Sequence, residues 1–334
     1  MLKRSDTPLA KAYDLAVLDL DGVVYVGARA VPGAAQALAD ARSAGMQTAF
    51  VTNNAARTPQ QVAEHLSELG IEVAVVDIVT SAQAAAGLLS RQLPEGSGVF
   101  VIGGEGLSAA LAERGLRPLV EADEEPRAVV QGYGPDMPWR QVVAGAMLVK
   151  AGLPWVATNT DMTLPTVSGI GPGNGTLVRL VAEFAGREPV VAGKPERPLL
   201  KETLERTGGF RPLMVGDRLD SDIAGAHSMD WDSLLVLTGV TGLAELVAAP
   251  AGERPSYIGT DLHALGQAHP VPNTHGGHAE LGNWSARVDD GRLVVTGSGS
   301  DQDWWRVVAA TSWTHLDHTG SPVETENLQA PPVA

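Results

Sequence analysis

The stretch from Leu15 to Tyr25, LAVLDLDGVVY, constrains this chain more than any other. Leu15 to Leu18 is a continuous apolar run with turn residues behind it, the pattern of a strand buried on both faces of a parallel sheet. It stops abruptly at two carboxylates, Asp19 and Asp21, followed by Gly22. In open α/β sheets chemistry collects outside the carboxyl ends of the strands. Two acids one residue apart at such an end can hold a hard cation and attack phosphorus. Taken alone, Asp-x-Asp-Gly is equally well a strand running into a polar turn. An EF-hand fits worse, because its loop needs more oxygen ligands and a glycine at its sixth position, where this chain has Val23 and Val24.

Beyond Tyr25 the chain alternates between helical and strand periods. A helix is predicted over Ala34 to Ser43, closed by Gly45, and a strand over Met46 to Val51 that runs into Thr52-Asn53-Asn54. Thr58-Pro59-Gln60-Gln61 reads as a capping box with proline at the first helical position, and Val62, Leu66 and Leu69 mark the buried face. A strand near Val73 to Val79 and a capped helix from Ser81 come next. After a Pro/Gly-rich joint at Leu93 to Gly98, a second α/β unit begins. Its strands are Val99 to Ile102, Ala128 to Gln131 and Trp155 to Ala157, and its helices are Leu107 to Arg114, Trp139 to Ala151 and Thr176 to Ala185. The loop between Asn159 and Asn174 is long enough to suspect function. The first unit then resumes with a strand at Val190 to Ala192 ending at Gly193-Lys194-Pro195 and a helix at Pro198 to Thr207. A strand at Leu213 to Val215 ends at Gly216-Asp217-Arg218-Leu219-Asp220-Ser221-Asp222, and a last one at Leu234 to Leu237 ends at Thr238-Gly239. Strand–helix alternation at this spacing argues for a right-handed parallel sheet. The 334 residues suggest about two domains, so residues 85–187 read as a domain inserted into one formed by 1–84 and 188–266.

From Gln267 the character changes. HPVPNTHGGH has the composition of a linker, Trp284 to Val288 and Arg292 to Thr296 read as a hairpin around Asp289-Asp290-Gly291, and Asp303 to Ser312 as a helix. The last dozen residues read as disordered. Four of the seven tryptophans (Trp284, Trp304, Trp305, Trp313) fall in this extension, 267–334, and predict that it packs against a core. His263, His269, His275 and His278 lie in or near the linker, where a metal site and solvated loop histidines are the alternatives.

Each polar cluster comes directly after an apolar strand, so Asp19 and Asp21, Thr52 and Asn53, Lys194, and Asp217 and Asp222 are expected along one sheet edge. Singly each has a bland explanation as a turn, a solvated lysine or a helix cap. Together they make the complement of phosphoryl transfer, which is mainly positioning and charge neutralisation. Mg²⁺ would be held by Asp19, the main-chain carbonyl of Asp21 and Asp217, with Asp222 orienting them. Asp19 would attack phosphorus, and Asp21 would protonate the leaving alkoxide and then deprotonate water. The Thr52 hydroxyl and the Asn53 amide would bind the phosphate oxygens, and Lys194 would offset charge on nucleophile and phosphate.

These residues resemble the haloacid dehalogenase superfamily, and its NagD-like phosphatase branch in particular, through DLDGVVYVGARAVPGA, VTNNAART, ATNTD, AGKP and GDRLDSDI over roughly residues 13–265. The resemblance implies an α/β fold with a Rossmann-like parallel-sheet core and a large inserted α/β cap, to which this chain adds a small α+β extension. It also implies a Mg²⁺-dependent phosphatase of small phosphorylated metabolites. Ser221 stands where many relatives carry threonine, leaving the carboxylates intact. The extension looks like that of actinobacterial members acting on glycerol 3-phosphate; pyridoxal phosphate, nucleotide monophosphates and phosphosugars are the alternatives. Asn159 and Asp161 match the family's Thr-Asn-x-Asp run and are the cap residues expected to meet substrate, unless they brace the loop.

Composition narrows the partners. A net charge of −15 argues against a nonspecific nucleic-acid surface. The absence of cysteine excludes disulfides and thiolate chemistry. No apolar signal core or membrane-length run is present, so a cytoplasmic location is expected. A cap interface could make a homodimer, though no residue pattern demands one. Two other readings compete. A non-catalytic phosphometabolite-binding protein would need neither nucleophile nor acid, and a phosphotransferase or mutase usually has a small or absent cap.

Overall fold

A computed structural model describes residues 1–121, 125–166, 169–326 and 328–332. The chain divides into two compact units, Met1–Thr48 with Gly209–Ala334, and Ala49–Gly208.

In the first unit the strand Leu15–Leu18 is buried at every position, as its unbroken apolar run requires. It pairs in parallel with Pro212–Gly216, Leu15 opposite Pro212 and Leu18 opposite Val215. Asp232–Val236 and then Tyr257–Gly259 extend the sheet, all parallel. Tyr257–Gly259 escapes sequence reading because three residues carry no period. The helix Ala34–Ser43 forms as expected, with Gly45 beyond it at φ +99°.

The extension differs from its composition. HPVPNTHGGH is no linker: Asn273–His275 and His278–Leu281 are antiparallel strands, turned by Gly276 and Gly277, both at positive φ. Trp284–Asp289 and Arg292–Thr296 complete a four-stranded sheet. The helix is longer than predicted, Asp301–Thr319, because its polar last turns show no apolar period. Trp304, Trp305 and Trp313 are buried with Leu235 and Ile258 of the parallel sheet, so the extension packs on the core of its own unit. Trp313 Nε1 donates to the Leu246 carbonyl at 2.8 Å, and Arg254 lies over its ring while pairing with Asp317. The expectation of a disordered end meets contacts as far as Ala330: Val323 is buried, Glu324 pairs with Arg292, and Leu328 and Ala330 pack on the same core. Residues 327, 333 and 334 of that end lie outside the described residues.

In the second unit Phe50, Val51 and Thr52, ending the strand Gln47–Thr52, pair in parallel with Ile78–Thr80. The strand predicted over Val73 to Val79 shortens to those last residues; Val75 and Val76 are exposed in a 3₁₀ turn with no sheet to cover them. The predicted capping box of Thr58 with Gln61 forms, and the helix from Ser81 is capped by a second box, Thr80 with Gln83. A five-stranded parallel sheet runs in the order Val190–Val191, Trp155–Ala157, Ala128–Gln131, Gly98–Ile102, Arg117–Leu119. Helices Trp139–Lys150 and Asn174–Ala185 bury Val142, Val149, Val178 and Val181 on Phe100, Val129 and Trp155. Val190–Val191 is a correction: the expectation has it rejoin the first sheet, yet it pairs with Val156 and Ala157, so Lys194 comes after a strand of this second sheet. The loop expected between Asn159 and Asn174 contains the hairpin strands Thr163–Thr166 and Gly169–Pro172; its residues 167 and 168 lie outside the described residues.

Candidate active site

In the first unit the carboxylates gather where two neighbouring strands end. The Asp19 N–H donates to the Val215 carbonyl at 2.8 Å, which carries the ladder one residue past the strand and fixes Asp19 beside Asp217. Carboxylate oxygens of Asp19, Asp217 and Asp222 lie within 4.8 Å of one another, and Asp217 and Asp222 are fully buried. At that separation each ionised pair repels by about 3 kcal/mol at the effective dielectric of a protein site. The arrangement therefore favours an added cation. Every side-chain donor in the cluster is a carboxylate oxygen, with no imidazole or sulfur, which fits Mg²⁺ rather than a softer metal. Asp222 stands in this cluster itself and also accepts from the Arg218 N–H at 3.1 Å. Asp21 is exposed, in a turn closed by the Gly22 N–H on the Tyr25 carbonyl at 2.7 Å.

The loop after the strand Asp232–Val236 holds Asp217 in ways the sequence does not announce. The Val240 N–H donates to Asp217 Oδ2 at 2.7 Å, and Thr241 Oγ1 donates to the Asp217 carbonyl at 2.5 Å. Thr238 Oγ1 donates to the Gly22 carbonyl at 2.5 Å, tying this strand end to the Asp19–Asp21 turn. Gly22 has φ +86°, and a Cβ there would sit 2.5 Å from Asp217 Oδ2; only glycine lets the turn approach the carboxylate so closely. The visible signal is the last strand ending at Thr238-Gly239, but nothing in it names the partner.

In the second unit Asn53 organises a second cluster. Its Oδ1 accepts from the Lys194 N–H at 2.9 Å, and its Nδ2 donates to the Lys194 carbonyl at 3.0 Å. Nδ2 also reaches Asp161 Oδ2 at 3.2 Å. The side-chain amide is thus committed to holding the Lys194 backbone, which leaves the main-chain N–H as the Asn53 group suited to phosphate. The Asn53 carbonyl accepts from Ser81 Oγ and from Asn159 Nδ2, both at 2.6 Å. Asn159 Oδ1 accepts from the Asp161 N–H at 3.1 Å, and Asn159 is buried. Asn159 and Asp161 therefore act as braces around Asn53. Thr52 is buried at the strand end, its Oγ1 accepting from the Asn54 N–H at 3.0 Å. Lys194 is buried, 2 % exposed, and a buried ammonium persists only opposite negative charge. Gly193 admits no side chain here, since a Cβ would meet Asn53 Oδ1 at 2.5 Å.

Comparison with known proteins agrees with this chemistry. A model of the haloacid dehalogenase-like hydrolases matches residues 16–117, and a second HAD-hydrolase-like model matches residues 191–265. D-glycerol 3-phosphate phosphatase of Mycobacterium tuberculosis is 42% identical over 296 residues, 88% of this chain and 82% of that protein. The acid sugar phosphatase of Staphylococcus aureus is 35% identical over 255 residues, 76% of this chain and 96% of its own. Among solved structures, glycerol phosphate phosphatase from M. tuberculosis in complex with magnesium superposes with a TM-score of 0.83 at 39% identity, covering 92% of each chain. NagD from Escherichia coli K-12 superposes with a TM-score of 0.68 at 28% identity, over 75% of this chain and 97% of that one. With one relative aligned over most of its length and two family models in register with the acidic strand ends, the chain belongs to the haloacid dehalogenase-like hydrolases.

Proposed function

We propose that the chain is a Mg²⁺-dependent phosphomonoesterase that hydrolyses glycerol 3-phosphate to glycerol and phosphate through an aspartyl phosphate on Asp19. The observation that carries this reading is the cluster of Asp19, Asp217 and Asp222 at adjoining strand ends, with Asp21 exposed two residues after Asp19. Asp19, Asp217 and the Asp21 carbonyl would hold Mg²⁺, oriented by Asp222; the ion supplies charge neutralisation between carboxylate and phosphate. An Asp19 carboxylate oxygen attacks phosphorus as the bond to the leaving oxygen breaks, and that oxygen takes its proton from Asp21. Asp21 then accepts a proton from water, whose oxygen attacks phosphorus. The Asp19–phosphorus bond breaks, restoring the carboxylate and releasing inorganic phosphate. Thr52 Oγ1, the Asn53 N–H and the Lys194 ammonium act on the same phosphate, stabilising its oxygens as charge shifts. Asn53 holds the Lys194 backbone in place for this.

The substrate is that of the M. tuberculosis relative, whose similarity reaches into this chain's extension by covering 88% of it. Phosphosugars are the second reading, favoured by the S. aureus acid sugar phosphatases, with pyridoxal phosphate and nucleotide monophosphates behind them. Phosphate release from a panel of these esters, with and without Mg²⁺, ranks them by kcat/KM. Glycerol 3-phosphate is expected first. A phosphosugar leading by tenfold would replace it, and no turnover of any ester by folded, Mg²⁺-replete protein would favour a phosphometabolite-binding role.

Residues 85–187 would serve as the cap that excludes water over the site. Among the described residues no helix is long and apolar enough to cross a membrane; with the acidic charge and absent cysteine, a cytoplasmic enzyme without nucleic-acid partners is the reading. The helices Trp139–Lys150 and Asn174–Ala185 expose Trp139, Val143, Met147, Leu180 and Phe184, with Trp139 and Met147 each 60% exposed. Apolar patches of several hundred Å² on a surface mark interaction sites, and a homodimer through this face accounts for it. Light scattering is expected to give twice the chain mass, reduced to one chain in Met147→Glu/Phe184→Glu; a monomeric wild-type protein would refute it.

A further inference from the structure

Half of the chain's eight histidines meet in the extension, outside both family-model matches. They come as two His-x-x-His segments, His275-Gly-Gly-His278 and His315-Leu-Asp-His318. All four line one cavity of about 620 Å³ in company with Thr274, Thr311, Thr314 and Arg287. The first pair flanks the Gly276-Gly277 turn and is directly opposed in the antiparallel register, which brings the two Cβ atoms to about 5 Å. The second pair is spaced i, i+3 on the helix Asp301–Thr319, which puts its Cβ atoms about 5–6 Å apart on one face. Neighbouring groups orient two of the rings. His318 Nδ1 lies 2.7 Å from the Thr314 carbonyl and must donate to it, so Nε2 carries the lone pair. His278 Nε2 lies 3.0 Å from Ser285 Oγ, which turns Nδ1 to other partners. Anchoring one ring nitrogen on a protein oxygen while the other is presented is the arrangement of histidine metal ligands.

We propose that this cavity binds a divalent transition metal of the zinc, nickel or copper class through His275, His278, His315 and His318, pinning the hairpin to the helix. Neutral imidazoles without carboxylates favour those ions over Mg²⁺, which sets the site apart from the carboxylate cluster. The four rings stand on the cavity walls and do not close on a single point within 4.8 Å, so binding draws them inward. Gly276 and Gly277, both at positive φ, make the turn that joins the first pair. Proximity in sequence groups His275 and His278 with His263 and His269; the fold separates these. His263 bonds to Asp261, and His269 is buried between the Ala264 carbonyl and Arg306.

The test uses tag-free, full-length protein dialysed against micromolar Zn²⁺ in millimolar Mg²⁺, with metal content measured after gel filtration. About one Zn²⁺ per chain is expected, with a raised Tm, as for any ligand that binds only the folded state. His315→Gln/His318→Gln and His275→Gln/His278→Gln are each expected to weaken Zn²⁺ binding by tenfold or more, leaving Mg²⁺-dependent phosphate release unchanged. Asp217→Asn is expected to retain the Zn²⁺. No Zn²⁺ retained, or equal retention by the variant with all four histidines replaced, would overturn the proposal. Loss in Asp217→Asn alone would also overturn it, by placing the Zn²⁺ in the carboxylate cluster.

Discussion

His269 makes the first unit sensitive to acid. Its ring is 1% exposed. Nδ1 lies 3.0 Å from Arg306 Nη2, which can only donate, and Nε2 lies 2.9 Å from the Ala264 carbonyl, which can only accept. The neutral ring with its proton on Nε2 satisfies both; a second proton on Nδ1 would face the guanidinium. Burial foremost, and Arg306 after it, push the His269 pKa down from 6.5 to about 4. The folded-state pKa is thus depressed. Well above pH 6.5 neither state is protonated at this ring and the full stability is present. Between pH 6.5 and 4 the unfolded chain binds the proton and the folded chain does not, so stability falls by about 1.4 kcal/mol per pH unit. From pH 7.5 to pH 5.0 the loss attributable to His269 is about 2 kcal/mol. Urea unfolding at the two pH values measures it, in wild-type protein and in His269→Gln, which retains a donor and an acceptor but does not titrate. Titration of the other groups is common to both proteins and cancels in the difference. The wild type is expected to lose about 2 kcal/mol more than the variant; parallel losses would refute the reasoning.

Gly22→Ala combines a left-handed φ with a Cβ 2.5 Å from Asp217 Oδ2, so it should displace a carboxylate proposed to hold Mg²⁺. Phosphate release is expected to fall by about 100-fold or more with a weakened Mg²⁺ dependence, since small displacements of catalytic groups have such costs; near-wild-type kinetics would show that the turn tolerates the shift. Asn53→Asp replaces a donor to the Lys194 carbonyl and to Asp161 by an acceptor. Leaving those groups unsatisfied should cost about 2–3 kcal/mol of stability, read as a shift of the urea midpoint, whereas an Asn53 that only touched substrate would leave the midpoint in place.

Much of this is legible in the sequence because local and global signals coincide. Leu15 to Leu18 reads as a buried strand from apolarity alone, and the capping boxes at Thr58 and Thr80 form from side chains three residues apart. Acids at strand ends declare themselves because a carboxylate there needs a reason. What stays hidden depends on distant partners. The two-residue strand Val190–Val191 has no period of its own, and only its neighbours Val156 and Ala157 decide which sheet it joins. The amide of Asn53 reads as a phosphate ligand until Lys194, 141 residues away, takes both its donor and its acceptor. Within HPVPNTHGGH only Gly276-Gly277 is the turn its composition suggests, and the short strands on either side of it take their stability from the rest of the sheet. His315 and His318 lie beyond the helix predicted from Asp303 to Ser312, and only the fold brings them to the same cavity as His275 and His278.

Asp19 is the residue proposed to carry the phosphoryl group. Borohydride reduces an acyl phosphate to the alcohol, so quenching the enzyme during turnover of glycerol 3-phosphate with Mg²⁺ and sequencing its peptides by mass spectrometry tests this directly. Homoserine is expected at position 19, dependent on substrate and absent from Asp19→Asn, which should release phosphate at least about 1,000-fold more slowly. Full turnover with an unmodified Asp19, or an Asp19→Asn enzyme within tenfold of wild type, would contradict it.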